Sequence, residues 1–456
     1  MFPKSWKTSF VVPIFKNNGD VGDVENYRPI TLMSQFPKIL ESLVNDYLSE
    51  IFSNVITTKQ HGFVKGLSIT TNLAVYGKTL SEALEGGKMV DVVYTDLSKA
   101  FDRVDHGLLI DKLSAYGVGG SLILWIYSYL VGRKQIVKIK SFMSVPFEAI
   151  MGVPQGGHLA PLLFIVFIND IFYCFHYCLF LLYADDLKVF KILDNDGARE
   201  ELQDDLQRLH AWCELNGMVL NVDKCKHMFF SRQCSPHLNE YNIGGKTLQT
   251  VNQIKDLGVI FDSKLSFVEH ISMCCNKALK MLGFVIRHTK YFNSLWALRT
   301  LYVSLVRTHL ENNSIVWSPF YQIHVNAIER VQRKFLRHIN FKLGIPAENI
   351  NYKHLMQMLK IQPMSDRHKY FDKLFICKII NNEIVCPELM CYIRFHVPAR
   401  TVRDVNTFSN EWHRTIYGSH NTINRCMTAA NEINEDVFNT PFAKIKQKLK
   451  SQLCDI

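Results

Sequence analysis

The 456-residue sequence lacks the marks of a zinc-bound, secreted or membrane protein. Its 12 cysteines fall in no paired metal-ligand spacing. Cys274 and Cys275 are adjacent, Cys174 and Cys178 lie in an apolar run, and Cys386 and Cys391 have no histidine nearby. No zinc is expected, and the thiols read as reduced and mostly buried, as in an intracellular protein. There is no signal peptide, because Met1-Phe2-Pro3-Lys4-Ser5-Trp6-Lys7 carries charge with no apolar core behind it. One strongly apolar stretch, Leu159 to Tyr183, is interrupted by Asn169, Asp170 and His176 and holds Pro161 near its start. It reads as a buried helix over Pro161–Phe172 leading into a strand, and no membrane span is expected. No internal repeat or low-complexity tract stands out. Acidic charge is in the minority, 42 residues against 52 basic ones for a formal net charge of +10, which favours a polyanionic partner. With 48% hydrophobic and 21% charged residues the chain is a folded one, and its length exceeds one ordinary core, so two or three subdomains are expected.

What is present centres on carboxylates at strand ends. The strand-like run Cys178–Leu182 leads to Tyr183-Ala184-Asp185-Asp186, and apolar character resumes over Leu187–Phe190, so two adjacent acids sit at a hairpin tip. Bare carboxylates there repel each other, and a divalent metal is the simplest positive partner. A second β-branched run, Met89–Thr95, ends at Asp96, and 185 − 96 = 89 residues separate the two strand-end acids. Folded side by side they form a three-carboxylate site able to hold two Mg²⁺ ions for phosphoryl or nucleotidyl transfer.

Around this pair the pattern predicts a strand over Phe10–Phe15, a turn at Asn17–Asp20, and helices over Ile39–Phe52, His106–Tyr116 and Asp196–Asn216. Asp102 and Asp105 are expected to cap the helix that follows them. From about residue 263 the character changes to helices with basic faces. Leu295, Leu298, Leu301, Tyr302 and Leu305 recur at helical spacing with Arg299 and Arg307 between them. Ile328, Val331, Phe335 and Ile339 do the same, with Arg330, Arg333, Lys334 and Arg337 elsewhere on the helix. For any one of these charges an ordinary solvated face is the alternative.

Thr95-Asp96-Leu97-Ser98-Lys99-Ala100-Phe101-Asp102, Gly152-Val153-Pro154-Gln155-Gly156 and Tyr183-Ala184-Asp185-Asp186 resemble, in order, polymerase motifs A, B and C of reverse transcriptases. Tyr27-Arg28-Pro29-Ile30-Thr31-Leu32, Gln60-His61-Gly62-Phe63 and Asp256-Leu257-Gly258-Val259 resemble the jockey-like enzymes of non-LTR (LINE) retrotransposons, and the likeness runs from about Trp6 to about Arg337. The resemblance implies an α+β, right-hand polymerase fold. Fingers (about 1–88) and a split-βαβ palm (about 89–262) would form the reverse transcriptase domain 1–262, followed by a helical thumb at 263–345. A mostly helical C-terminal extension of unknown role, 346–456, completes the chain.

The implied activity is an RNA-directed DNA polymerase that extends a primer 3′-hydroxyl with dNTPs on an RNA template in retrotransposition, using two Mg²⁺ ions with Mn²⁺ as a substitute. Asp96 and Asp185 are implied to ligate both ions, with Asp186 completing the cluster and the Leu97 backbone carbonyl as a further ligand. Lys224 matches the motif D lysine, which supplies charge or a proton to the leaving group. Lys16 and Arg28 resemble the basic pair that clamps the triphosphate. Phe101 stands where a bulky residue closes the sugar pocket against a 2′-hydroxyl, plain core packing being the alternative. Gln155, followed by Gly156, would lie over the nascent base pair; Gly157 stands where serine is usual and Ala160 where glycine is. Tyr183 would support the DNA primer terminus, and Arg330, Arg333, Lys334 and Arg337 would grip the duplex.

The family places an endonuclease and a further fingers segment ahead of the Trp-Lys pair matched by Trp6-Lys7, whereas Met1 here starts almost on that pair. A copy lacking the N-terminal endonuclease is therefore expected, and an inactive remnant that only binds nucleic acid stays open as the alternative reading. The Cys-Cys-His-Cys knuckle often encoded by related elements is not visible. Action in the nucleus is an expectation of the family, and the oligomeric state is not legible.

Overall fold

The computed structural model describes residues 1–17, 19–232, 239–397 and 406–454. Asn18 of the expected turn, and 398–405 with the last two residues of the C-terminal extension, lie outside the described residues. The chain divides into two compact units.

The first unit comprises 1–65, 91–227 and 237–250. Near its start the strand Thr8–Phe15, two residues longer than expected, pairs antiparallel with Tyr27–Leu32 and parallel with Arg133–Ile139. The central sheet runs in the order Gln249–Val251, Lys226–Phe230, Met89–Thr95, Asp186–Leu193, Leu179–Tyr183. Met89–Thr95 lies inside that sheet with Val90, Val92 and Val93 fully buried, which is why it reads as a near-continuous apolar run. Helix His106–Ala115 starts as expected, with the Asp105 carboxylate accepting the Leu108 N–H. Asp102 does not cap it; its carboxylate instead accepts a hydrogen bond from Gln155 Nε2 at 2.8 Å. Helix Ala198–Leu215 falls within the expected range.

The expected helix over Pro161–Phe172 is shorter. It spans Ala160–Phe167 and gives way to a 3₁₀ turn at Asn169–Cys174. The reason is tertiary: Asn169 Oδ1 accepts the Thr57 N–H at 2.8 Å and its Nδ2 donates to the Val55 carbonyl at 3.0 Å. These long-range bonds satisfy backbone groups of another segment and outweigh continued helix at that point.

The second unit comprises 66–90, 228–236 and 251–456. Helix Ile69–Glu85 opens on a Ser68/Thr71 capping box and is buried on most sides. Even Lys78 is buried, its charge met by Glu82 at 3.0 Å and Glu411 at 3.7 Å. Glu85 accepts the N–H groups of Arg414 and Thr415, so late parts of the chain are tied to this early helix. The helices Tyr352–Leu359, Met364–Ile380, Thr422–Ala430 and Phe442–Cys454 follow.

In the same unit helix Leu295–Leu301 continues through a π-helical turn, Tyr302–Arg307. The extra residue shifts the apolar face, so Leu305 is exposed and Val306 is buried, contrary to the expected spacing. Tyr302 anchors the shift by stacking on Phe335 at 4.2 Å and donating to Gln332. Arg307 is likewise not on a basic surface: it is buried and ion-paired with Glu311 at 3.1 Å. Helix Gln322–Lys342 keeps its predicted pattern, burying Ile328, Val331, Phe335 and Ile339 and exposing Arg330, Arg333, Lys334 and Arg337. Among the cysteines whose side chains are described Cys391 is exposed and the others are buried, and burial pushes the thiols of Cys174, Cys213 and Cys377 up to about 12.

One buried carboxylate ties a segment between two strands of the central sheet to the sheet itself. Asp91 accepts from Tyr241 and Asn239, both at 2.6 Å, with His227 Nε2 3.5 Å away. Burial pushes its carboxyl up, but these partners outweigh burial and hold it below its usual value. The contribution is therefore full above the ordinary carboxylate range and is lost as pH falls below about 4. Asp91→Ala should destabilise the protein by about 2–4 kcal/mol at pH 7, because it strands two buried donors. Urea unfolding as a function of pH should show that difference shrinking as the pH is lowered.

Candidate active site

The strands Leu179–Tyr183 and Asp186–Leu193 form a hairpin in which Tyr183 is paired with Asp186, leaving Ala184 and Asp185 as a two-residue tip. Ala184 takes φ +55°, which is uncommon for a residue with a side chain. It is held there by the segment Lys59–Gly62. Leu182 donates to the Lys59 carbonyl and His61 donates to the Leu182 carbonyl, each at 2.9 Å. The buried Gln60 side chain then accepts the Ala184 N–H at 2.9 Å and the Gly62 N–H at 2.8 Å through one oxygen. A Cβ at Gly62 would lie 2.3 Å from the Ala184 nitrogen, so only glycine permits this approach. Gln60 and Gly62 were legible in the sequence only as part of a resemblance.

Asp96 ends the strand Met89–Thr95, and its carbonyl accepts the Asn221 N–H at 2.8 Å while Ser98 donates to Val219. These two bonds flank the Leu97–Leu220 bridge and do not use the Leu97 carbonyl. Its carboxylate lies 3.7 Å from Lys224 Nζ. Asp185 is half-buried. Burial pushes its carboxyl above the ordinary value, its own backbone N–H draws it down, the Asp96 charge pushes it up and the Arg28 charge draws it down, the net shift being upward. The structure thus brings Asp96, Asp185, Arg28 and Lys224 into one electrostatic site. Asp186 is exposed, and Lys16 directs its Nζ to the Glu25 carbonyl at 2.7 Å.

Beside the acids, Phe101 is half-buried, stacked on Phe164 at 4.1 Å and met edge-on by Phe63 at 6.3 Å. Its carbonyl accepts the Val153 N–H, which joins the segment after Asp96 to the Gly152–Gly157 loop. Gly152 has φ +86° and a Cβ there would meet the Asp102 backbone at 2.9 Å. Gly156 has φ +114° and a Cβ would meet the Thr31 carbonyl at 2.6 Å. Asp102, read from sequence as a cap, is the residue that orients the Gln155 amide. Arg330, Arg333, Lys334 and Arg337 belong to the second unit.

Among the described residues no group of three or more His, Cys, Asp or Glu side chains converges as a metal cluster. A pair of carboxylates still suits a small hard cation, since Mg²⁺ is commonly held by one or two carboxylates together with water and substrate phosphates. The mutual repulsion of Asp96 and Asp185 is what such a cation would relieve, so the residues fit the group.

Residues 14–286 match the family model described as reverse transcriptase (RNA-dependent DNA polymerase). The chain belongs to the reverse transcriptase family. This reverse transcriptase is of the jockey-like, non-LTR type and has the α+β, right-hand polymerase fold of its family, a family that depends on divalent metal. It is 29% identical over 360 residues to the probable RNA-directed DNA polymerase from transposon BS of Drosophila melanogaster, covering 74% of this chain and 39% of that one. It is 27% identical over 406 residues to the RNA-directed DNA polymerase from mobile element jockey of the same organism, covering 80% and 43%. The chain therefore spans about two fifths of the length of these curated relatives. Among solved structures, apo telomerase from Candida tropicalis is similar at 11% identity and a TM-score of 0.46, covering 78% of this chain and 61% of that one. Among the described residues no helix is long and apolar enough to cross a membrane.

Two outcomes follow from the tip. Gly62→Ala should cost about 1–3 kcal/mol in urea unfolding, because its methyl group cannot fit against Ala184 without moving the hairpin. A carboxyl raised on folding stabilises most below its unfolded pKa and loses that stability as pH rises through the raised value. Metal-free Asp185→Asn should therefore melt at a higher temperature than the wild type at pH 7, and the gap should close in acid.

Proposed function

We propose that the chain is an RNA-directed DNA polymerase that extends a DNA primer on an RNA template with dNTPs, in retrotransposition. The observation that carries the reading is the pairing of half-buried Asp185 with Asp96 under the charges of Arg28 and Lys224. Asp96 and Asp185, with the Leu97 carbonyl that its bridge leaves unused, would hold the metal, and exposed Asp186 would complete the set from the rim. The chemistry that two Mg²⁺ ions, or Mn²⁺ in their place, would supply there is activation of the primer 3′-hydroxyl and neutralisation of charge on the triphosphate and the leaving pyrophosphate.

The chain's own groups do the rest. Arg28 and Lys16 bind the triphosphate, Lys16 by releasing the Glu25 carbonyl as the fingers receive nucleotide. Lys224, exposed and beside Asp96, carries charge or a proton to the leaving group. Phe101, fixed on one face by Phe164 and on its edge by Phe63, presents a rigid wall to the 2′ carbon and leaves no space for a 2′-hydroxyl. Gln155, aimed by Asp102, lies over the nascent base pair, and Tyr183 supports the primer terminus. Arg330, Arg333, Lys334 and Arg337 form an exposed basic stripe on one helix, suited to phosphates of a primer–template duplex. We assign fingers to about 1–88, palm to about 89–262, thumb to 263–345, and the nucleus as the site of action.

The deciding experiment is primer extension on a primed RNA template with dNTPs and Mg²⁺, comparing wild type with Asp185→Asn. Extension by the wild type alone is expected. Primed-template binding without extension by either protein would leave a nucleic-acid-binding remnant. Phe101→Ala should raise ribonucleotide incorporation relative to dNTPs by roughly 10–200-fold, as expected for a site that discriminates by shape, read from single-nucleotide kcat/KM ratios.

A further inference from the structure

Behind the Gln155 loop sits a carboxylate that the proposed chemistry does not use. Glu41, on helix Gln35–Phe52, is fully buried. Its Oε2 accepts the His158 N–H at 2.9 Å and the Leu159 N–H at 3.5 Å, just ahead of helix Ala160–Phe167. It thus meets backbone donors at the start of a helix whose own first residues supply no capping side chain. Burial pushes the Glu41 carboxyl up, and the Leu159 and His158 N–H groups with the Arg133 charge offset part of that cost. Arg133 is itself nearly fully buried, donating to the Tyr129 carbonyl and lying 5.0 Å from the Tyr129 ring.

The same carboxylate accounts for Gly157. A Cβ at this position would lie 2.6 Å from Glu41 Oε2 and 2.9 Å from Met33 Cε. A side chain there, such as the serine that the motif leads one to expect, must displace the Glu41 carboxylate or the Met33 methyl group. The loop is therefore fixed at three points. Asp102 holds the Gln155 amide, the Thr31 N–H holds the Gln155 carbonyl at 2.7 Å, and Glu41 holds the backbone two residues beyond Gly156.

We propose that Glu41 is a positioning residue, whose buried carboxylate fixes the Gly156–Leu159 backbone so that Gln155 is presented to the nascent base pair, with Gly157 leaving space for it. The proposal rests on the polymerase reading for its kinetic consequence but not for its structural one, and two measurements separate the two.

The first is amide hydrogen exchange on the full chain. His158 and Leu159 should exchange at least about tenfold faster in Glu41→Ala than in wild type, as the loss of a buried acceptor implies. Glu41→Gln keeps an acceptor oxygen and should restore most of the protection. Gly157→Ser should lower stability in the wild type and do so less in Glu41→Ala. Unchanged protection of both amides in Glu41→Ala would overturn the proposal whether or not the chain polymerises.

The second is single-nucleotide extension kinetics. Glu41→Ala should raise KM for the dNTP by about tenfold with kcat much less affected and primed-template affinity unchanged, the pattern of lost positioning rather than lost fold. In a Gln155→Ala background the same substitution should change KM by less than about twofold, because both act through one side chain. An equal KM penalty in both backgrounds would overturn the route through Gln155. A wild type that extends nothing, while the exchange result holds, would count against the polymerase reading and leave Glu41 as the residue that fixes the loop.

Discussion

The repulsion between two carboxylates, Asp96 at the end of one strand and Asp185 at the tip of the neighbouring hairpin, is the constraint around which the first unit is arranged. Burial and a neighbouring like charge raise the Asp185 carboxyl and weaken the fold, so such an acid persists only where the surroundings over-determine it. Here Ala184 is forced to a positive φ, and Gln60 holds it by accepting two backbone N–H groups with one oxygen. Gly62 allows that clamp because no other residue fits against the Ala184 nitrogen. Arg28 moderates the charge of Asp185, and Lys224 lies 3.7 Å from Asp96. A cation held between the two carboxylates would relieve what the bare protein bears.

A second layer controls geometry rather than charge. The Gln155 loop is built from glycines whose missing side chains admit the Asp102 backbone, the Thr31 carbonyl and the Glu41 carboxylate. Each of those neighbours comes from a different part of the chain. A local change in any of them is therefore transmitted to the position of one amide, and this is how a polymerase would tune nucleotide affinity without touching the acids.

The acids were legible because they stand where strand-like apolar runs stop, and two such stops in one chain are hard to explain without a shared ion. Strand Met89–Thr95, the hairpin, the helix after Asp105 and the apolar and basic faces of Gln322–Lys342 were legible for the same reason: their patterns are local. What was not legible is non-local. Asn169 ends a helix because it bonds Thr57 and Val55, more than 110 positions away. Asp102 looks like a cap until the loop carrying Gln155 is folded against it. The π turn at Tyr302–Arg307 moves one residue of the apolar face, and only the partners of Tyr302 on the neighbouring helix reveal the shift. Helix Ile69–Glu85 is not among the elements expected from the sequence, and its charged residues hold segments some 330 positions later.

The central claim, that Asp96 and Asp185 repel each other because they form a cation site, is tested most directly by Mn²⁺ binding to the purified chain with a dNTP present, followed by the electron paramagnetic resonance of free Mn²⁺. The account predicts saturable binding by the wild type, a loss of about tenfold or more in affinity for Asp96→Asn and for Asp185→Asn, as removal of a charged ligand requires, and a smaller loss for exposed Asp186→Asn. Equal affinity in all four proteins would contradict it, leaving the carboxylate pair as a feature of the fold alone.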